Sequence, residues 1–404
     1  MNKPELLAPA GDFESLEATV HFGADAVYIG GNAFSMRASP QNFDEGQLFR
    51  AVQFAHSHGV KIYLTCNTLP RNDELALLPA FLAQAKVAGV DALIISDLGV
   101  MELAKRHAPG VELHMSTQTG IVNYASASAL HALGAARVVL ARELSLAEIT
   151  DLRTNTPRAL EIEAFVHGAM CVSFSGRCLL SDYMTARDAN RGRCAQPCRW
   201  SYTLCEEKRP GEHMPVFEDA EGTHILNARD LCMIEHIPAL MRAGITSLKI
   251  EGRAKSAYYV AAVTNAYRIA IDRFFSEKKD YTFDPELLRE VEKVSHRDYC
   301  TGFFFGPIEK GQIYGGAAYM RSWDIVATIE ANADGLAVCR ERNPFSTGVV
   351  EALEPGKTGR PVTIKALYDE NGQKLDNAIH PDMRVLLKLD RPLTAHTMLR
   401  KPVD

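Results

Sequence analysis

Gly23-Ala-Asp-Ala-Val-Tyr28 is followed along the chain by Gly59-Val-Lys-Ile-Tyr63, Gly89-Val-Asp-Ala-Leu-Ile94, Gly134-Ala-Ala-Arg-Val-Val139 and Gly244-Ile-Thr-Ser-Leu-Lys249. Each copy comes after a stretch of helical spacing and opens an apolar run. A helix that ends on glycine can take a left-handed turn at little cost and pass within two or three residues into a buried strand. The phrase is therefore the second half of a βαβ unit. Working outward from it predicts strands at Glu5–Ala10, Ala26–Gly30, Lys61–Asn67, Ala92–Asp97, Glu112–Gln118, Arg137–Glu143, Glu161–Gly168 and Ser247–Arg253.

The segments between these strands carry helical periodicity. Leu48, Val52 and Ala55 share one face over Asp44–His58, and Leu77, Phe81 and Ala85 share one over Asp73–Ala88. Ser145 followed by Glu148 has the spacing of a capping box. Eight strands with crossover helices predict an α/β chain built as a TIM-like (β/α)8 barrel, although a doubly wound open sheet uses the same local pattern. The connection after the seventh strand is abnormal, because about sixty residues separate His167 from the helix near Asp230. A loop that long in a compact domain is usually functional. After Ala257–Phe275 the texture turns to short β-rich runs at Asp324–Ile329, Gly335–Arg340, Pro361–Tyr368 and Met383–Leu389, with Asn371-Gly372 as a hairpin signal. The reading is a barrel over 1–298, with an insertion at about 169–230, and a small β-barrel domain over 299–404.

Composition bounds the function classes. The 404 residues are 47% hydrophobic, enough for one large domain and a smaller one. A net charge of −6 excludes a global field that would mark a general nucleic-acid or membrane binder. No stretch offers the roughly 18 uncharged residues of a membrane span, nor a signal-peptide core, so a cytoplasmic protein with no membrane partner is expected. Nine cysteines in a reducing compartment are poor candidates for disulfides, and five of them fall between 171 and 205.

Cys171 and Cys178 are separated by six residues, and fifteen more precede Cys194 and Cys198. Two close pairs make a plausible four-thiolate site, and Arg177, Arg193 and Arg199 can offset its charge. The six-residue gap exceeds the usual spacing within structural zinc pairs, which favours an iron–sulfur cluster and leaves zinc as the alternative. A radical-SAM C-x-x-x-C-x-x-C run is absent. Cys66, Cys205, Cys300 and Cys339 each stand alone and read as incidental buried thiols. Cys232, in Asp230-Leu-Cys-Met233, is an alternative fourth ligand.

Chemistry in such barrels sits at the C-terminal strand ends. Asn67, Asp97, Ser116, Gln118, Arg142, Glu143, His167, Lys249, Glu251 and Arg253 occupy those positions. Alternation puts Lys249, Glu251 and Arg253 on one side, a cation–carboxylate–cation set suited to a small carboxylated ligand, or equally to an internal salt-bridge layer. His167, Glu251 and Lys249 are the candidate catalytic residues. Asn67, Gln118, Arg142 and Arg253 are the candidate substrate contacts. His114 is a second candidate for acid–base work. Arg187, Arg191, Arg193 and Arg199 beside Trp200 and Tyr202 are the best local case for contacting phosphates and stacking unpaired bases.

Glu163-Ala-Phe-Val-His-Gly-Ala-Met-Cys-Val-Ser-Phe-Ser-Gly-Arg-Cys-Leu-Leu-Ser181 closely resembles the signature of the collagenase-like peptidase family, once classed by unknown catalytic type. Glu5-Leu-Leu-Ala-Pro-Ala-Gly11, Ala24-Asp-Ala-Val-Tyr28, Arg193-Cys-Ala-Gln-Pro-Cys-Arg-Trp200 and Lys249-Ile-Glu-Gly-Arg253 are also similar to it, so the resemblance covers roughly 3–310. It implies the barrel and, in the better understood branches, hydroxylation of tRNA, ribosomal RNA or ubiquinone. Length and the Arg193–Trp200 run look most like the tRNA branch. That branch implies 5-hydroxyuridine formation at the wobble position, with prephenate or a similar carboxylated hydroxyl donor. The ubiquinone branch carries a four-iron four-sulfur cluster, and the resemblance implies that its ligand positions carry over onto Cys171, Cys178, Cys194 and Cys198. Partners implied are tRNA and an electron donor or paralogous subunit. The family name also implies peptide hydrolysis, but H-E-x-x-H is absent and Ser173, Ser175 and Cys171 lack an identifiable base. A non-catalytic scaffold presenting a cluster is the third class.

Overall fold

Asp12 accepts a hydrogen bond from the Ser15 backbone N–H at 2.8 Å and starts the first helix, Phe13–His21. Reciprocal capping boxes join Asp44 to Gln47 and Ser145 to Glu148 at the starts of Glu45–Ser57 and Leu146–Thr154. At the other end of such helices, Gly89 (φ +82°) closes Leu78–Ala88 in the left-handed region, where a β-carbon would be strained. These local rules set the alternation of helix and strand. In this computed structural model the described residues are 2–36, 42–170, 229–306 and 319–403, with short pieces between 178 and 228 and at 312–313.

Eight parallel strands form the first barrel: β1 (Glu5–Pro9), β2 (Ala26–Gly30), β3 (Lys61–Cys66), β4 (Ala92–Ile95), β5 (Glu112–Met115), β6 (Arg137–Val139), β7 (Glu161–Ala169) and β8 (Ser247–Ile250). Each pairs with the next, and β8 pairs with both β7 and β1 (Ser247 opposite Glu163 and Glu5), so the sheet closes. The barrel is therefore TIM-like and not an open doubly wound sheet. Outward side chains such as Leu6, Ile29, Ile62, Leu93 and Leu248 pack under the helices. After β7 the chain leaves the barrel and returns at the short strand Asp230–Cys232, which pairs antiparallel with residues 167–169 of β7. The cysteine-bearing insertion is thus rooted at the C-terminal end of the barrel.

The strands stop earlier than alternation alone suggests. β3 ends at Cys66, leaving Asn67 in a loop, and β8 ends at Ile250, leaving Glu251–Arg253 outside the ladder. The register between β7 and β8 also slips after Lys249, so that Ile250 lies opposite His167. That bulge re-aims His167.

A second, antiparallel barrel follows, of six strands: β9 (Trp323–Ala333), β10 (Leu336–Glu341), β11 (Gly348–Leu353), β12 (Arg360–Tyr368), β13 (Arg384–Leu389) and β14 (Met398–Pro402). The order β11-β14-β9-β10-β13-β12 closes through β11–β12 pairing around Val326, Ile329, Ile364, Leu387 and Leu399. Asn371-Gly372 does form a turn, with Tyr368 opposite Lys374. The helix Ala257–Glu277 joins the two barrels: buried Asn265 donates to the Lys357 carbonyl and accepts from the Gly356 N–H, both at 2.8 Å.

Candidate functional site

The lumen is unusually charged. Most barrels of this type fill it with layers of branched aliphatic side chains. Here Arg137 reaches Glu5 at 2.6 Å and Glu163 at 3.0 Å, and Lys249 reaches the other oxygen of Glu163 at 2.7 Å. Tyr63 donates to Glu5 at 2.6 Å and Ser247 does so at 2.9 Å. Burial pushes the Glu163 carboxyl up, but Lys249 and Arg137 outweigh it and hold it below the usual carboxylate range. The same competition, burial against Arg137, lowers Glu5.

Above this layer lies the mouth. The Lys249 ammonium is 4.5 Å from the Tyr28 ring centre and 5.3 Å from that of Phe165. The Arg142 guanidinium stacks on Phe165 at 3.8 Å, donates to the Ala169 carbonyl at 2.6 Å and stands 3.7 Å from Glu251. Tyr28 donates to the Ile250 carbonyl at 3.0 Å and contacts Glu251 at 3.4 Å. On the opposite wall Arg253 donates to Ser35 at 2.6 Å and to Thr65 at 2.8 Å. A β-carbon on Gly30 would fall 2.5 Å from the Arg253 Nη1, so glycine there leaves the guanidinium its channel. Asn67 accepts from the Met36 N–H, and Ser96 bridges the Asn67 carbonyl to Gln118, each contact near 3.1–3.2 Å.

The mouth therefore gathers Asn67, Gln118, Arg142, Glu251 and Arg253 from the ends of four strands, β3, β5, β6 and β8. Lys249 lies one layer below them, in the salt-bridge layer that alternation left as the alternative. His167 and His114 lie elsewhere. His167 is turned by the bulge toward Tyr267 (5.5 Å), Tyr299 (5.3 Å) and Tyr259 (6.1 Å), is 1% exposed, and neither ring nitrogen has a hydrogen-bond partner. Burial, then the charges of His296 and Lys255, push it down to about 3. A neutral imidazole packed among tyrosine rings outside the lumen does not reach a ligand in the mouth. His114, fully buried, contacts Tyr63 and Glu112 in the lower lumen. Sequence reasoning missed Tyr28, Phe165, Glu163 and Arg137; the last two are charges at inward-facing strand positions, and that was the available signal.

Of the thiolate set, Cys171 and Cys198 lie outside the described residues, as do Arg191, Arg193, Arg199, Trp200 and Tyr202. Cys178 is half-buried and Cys194 exposed. Ser181 draws their segments together: its hydroxyl donates to the Arg187 carbonyl at 2.7 Å and accepts from the Ala195 N–H at 2.9 Å. Among the described residues no group of three or more His, Cys, Asp or Glu side chains is placed to hold a metal ion. Cys232 is different. Its side chain is in the core, in contact with the Tyr267 hydroxyl, and burial pushes its thiol up to about 12.

The description Peptidase family U32 matches residues 11–313, and the C-terminal domain of that family matches 321–400. The chain belongs to peptidase family U32. This U32 chain is 39% identical to tRNA hydroxylation protein P1 of Bacillus subtilis (strain 168), over 99% of the chain and 95% of the relative. It is 39% identical to tRNA hydroxylation protein P of Escherichia coli (strain K12), over 75% of each. It is 36% identical to a collagenase of Porphyromonas gingivalis (strain ATCC BAA-308 / W83), over 76% of the chain and 74% of the relative. Among the described residues of the U32 chain, no helix is long and apolar enough to cross a membrane.

Proposed function

We propose that the protein hydroxylates tRNA, forming 5-hydroxyuridine at the wobble position with prephenate as the hydroxyl donor. The observation that carries this reading is the mouth, where Arg142, Arg253, Asn67 and Gln118 all stand at the C-terminal end of the barrel strands. Two guanidiniums at one barrel end suit a small molecule with two carboxylates, since planar forks bind carboxylates bidentately. Glu251, held beside Arg142 and Tyr28, is placed to accept a proton or a donor hydroxyl. The names of the Bacillus and Escherichia relatives support tRNA as the acceptor.

Cys171, Cys178, Cys194 and Cys198 would hold a four-iron four-sulfur cluster, which would supply one-electron transfer; replacing the uridine C5–H by C5–OH as the C–O bond of the hydroxyl donor breaks removes two electrons, which an external electron acceptor, a partner protein or paralogous subunit, would have to take up. The chain's own residues, Arg142 and Arg253 first, bind and orient the donor. The test is complementation: the gene is introduced into a host without its own tRNA hydroxylation pathway, and tRNA nucleosides are measured by mass spectrometry. Appearance of 5-hydroxyuridine derivatives is expected. An unchanged nucleoside profile with the protein present and iron-loaded overturns the reading, and cleavage of gelatin by the same preparation would favour a peptidase.

A further inference from the structure

The mouth does not stand on aliphatic packing. Its floor is the pair of rings Tyr28 and Phe165, and the Lys249 ammonium contacts both. Phe165 lies between two cations, with Lys249 at 5.3 Å and Arg142 at 3.8 Å from its centre. Tyr28 connects Lys249 to Glu251 through its hydroxyl. What holds Lys249 is Glu163, which is 0% exposed and shared with Arg137. Arg137 is in turn anchored by Glu5, itself bonded to Tyr63 and Ser247. A continuous chain of close contacts thus runs from the lower lumen to the two mouth residues of opposite charge.

Buried ion pairs are expensive relative to apolar side chains of the same volume, so stability alone gives little reason for this one. Fixing a constellation to a fraction of an ångström gives a reason, since such sites depend on locked supporting side chains. We propose that Glu163 is a positioning residue: through Lys249 it fixes the Phe165 and Tyr28 rings, and through them the spacing of Arg142 and Glu251 on which an anionic hydroxyl donor is bound. The inference rests on the donor reading given above and adds to it a residue that touches no ligand.

The test is a double-mutant cycle on the full-length protein, with prephenate binding measured by calorimetry and folding by circular dichroism. Glu163→Gln removes one charge of the support, and Arg142→Lys removes the stacked fork while keeping its charge. Each single variant is expected to weaken prephenate binding about tenfold or more. Because Glu163 acts through Arg142, the double variant should bind within about twofold of the weaker single variant. Additive losses, or undiminished binding by a folded Glu163→Gln protein, overturn the inference and leave the donor reading intact. No binding by the wild type overturns the donor reading and this one together. If Glu163→Gln fails to fold, Glu163→Leu with Lys249→Met replaces it in the cycle, since removing both charges leaves no unpaired ammonium; the same non-additivity is required.

Discussion

Arg400, in the last strand of the second barrel, donates to Glu290 on the helix Pro285–Glu292 of the first barrel at 2.6 Å, and both side chains are buried. Glu351 shares Arg400 and is itself held by Lys293 at 2.8 Å, so a four-member charged set joins the barrels. Removing Arg400 leaves the buried Glu290 and the half-buried Glu351 to share Lys293 alone, which reaches Glu290 at 2.9 Å. Arg400→Met is expected to lower unfolding free energy by roughly 3–5 kcal/mol, whereas Arg400→Met with Glu290→Leu should recover most of it. Denaturant unfolding checks both, and a loss below about 1 kcal/mol in the single variant would show that the pair does not hold the interface.

A second contact between the barrels is sensitive to acid. His21 stacks on His396 with ring centres 3.5 Å apart, and His58 approaches edge-on at 5.1 Å. Burial, then the neighbouring charges of His396 and His58, lower His21 from 6.5 to about 4. In that window the unfolded chain binds a proton that the folded chain refuses, so stability rises with pH. The contribution is complete above pH 6.5 and is lost as pH falls to about 4. His21→Phe keeps a ring in the stack and should flatten the fall in melting temperature between those values. Parallel melting curves against pH for wild type and variant would refute this.

The parts of this molecule that sequence reading reached are those governed by local rules. The Gly89 turn, the Ser145–Glu148 box and the run of buried strands each follow from neighbours within a few residues, and together they determine the barrel. The polar strand ends were legible for the same reason, because the C-terminal ends of parallel strands converge in any closed barrel. What escaped depends on register and on distant partners. His167 leaves the lumen because β7 and β8 slip by one residue, which no spacing in either strand announces. Glu163 and Lys249 are 86 positions apart, and only closure between β7 and β8 brings them together. The structure adds the strands Gly348–Leu353 and Met398–Pro402, which pair with each other and complete the second barrel.

Gly30 offers a test of the mouth that removes no polar group. Its backbone is not left-handed, so alanine is excluded there by space alone: the added methyl would lie 2.5 Å from the Arg253 Nη1 and 2.9 Å from the Ser35 hydroxyl. Arg253 must then shift from Ser35 and Thr65. Gly30→Ala is expected to weaken prephenate binding about tenfold, in keeping with the cost of misplacing a binding group by an ångström. Calorimetry on a variant with a wild-type far-ultraviolet spectrum decides it, and equal affinity would remove Arg253 from the donor site.

The two kinds of cysteine should separate cleanly under substitution. Cys178 and Cys194 lie in the insertion that Ser181 gathers together, whereas Cys232 is packed in the barrel core against Tyr267. After anaerobic purification, Cys178→Ala and Cys194→Ala should each lose most of the iron and sulfide together with the visible absorption of a cluster, while the barrel still melts cooperatively. Cys232→Ala should keep iron, sulfide and colour but lose about 1–2 kcal/mol of stability, the order for trimming a small buried side chain. If Cys232→Ala bleaches the protein, the thiol is a ligand, and the contact with Tyr267 must break when the cluster binds. If the wild type holds one equivalent of zinc and no iron, and Cys178→Ala and Cys194→Ala lose it, thiolate ligation by the insertion stands but the redox role proposed for it does not, because zinc carries no electrons.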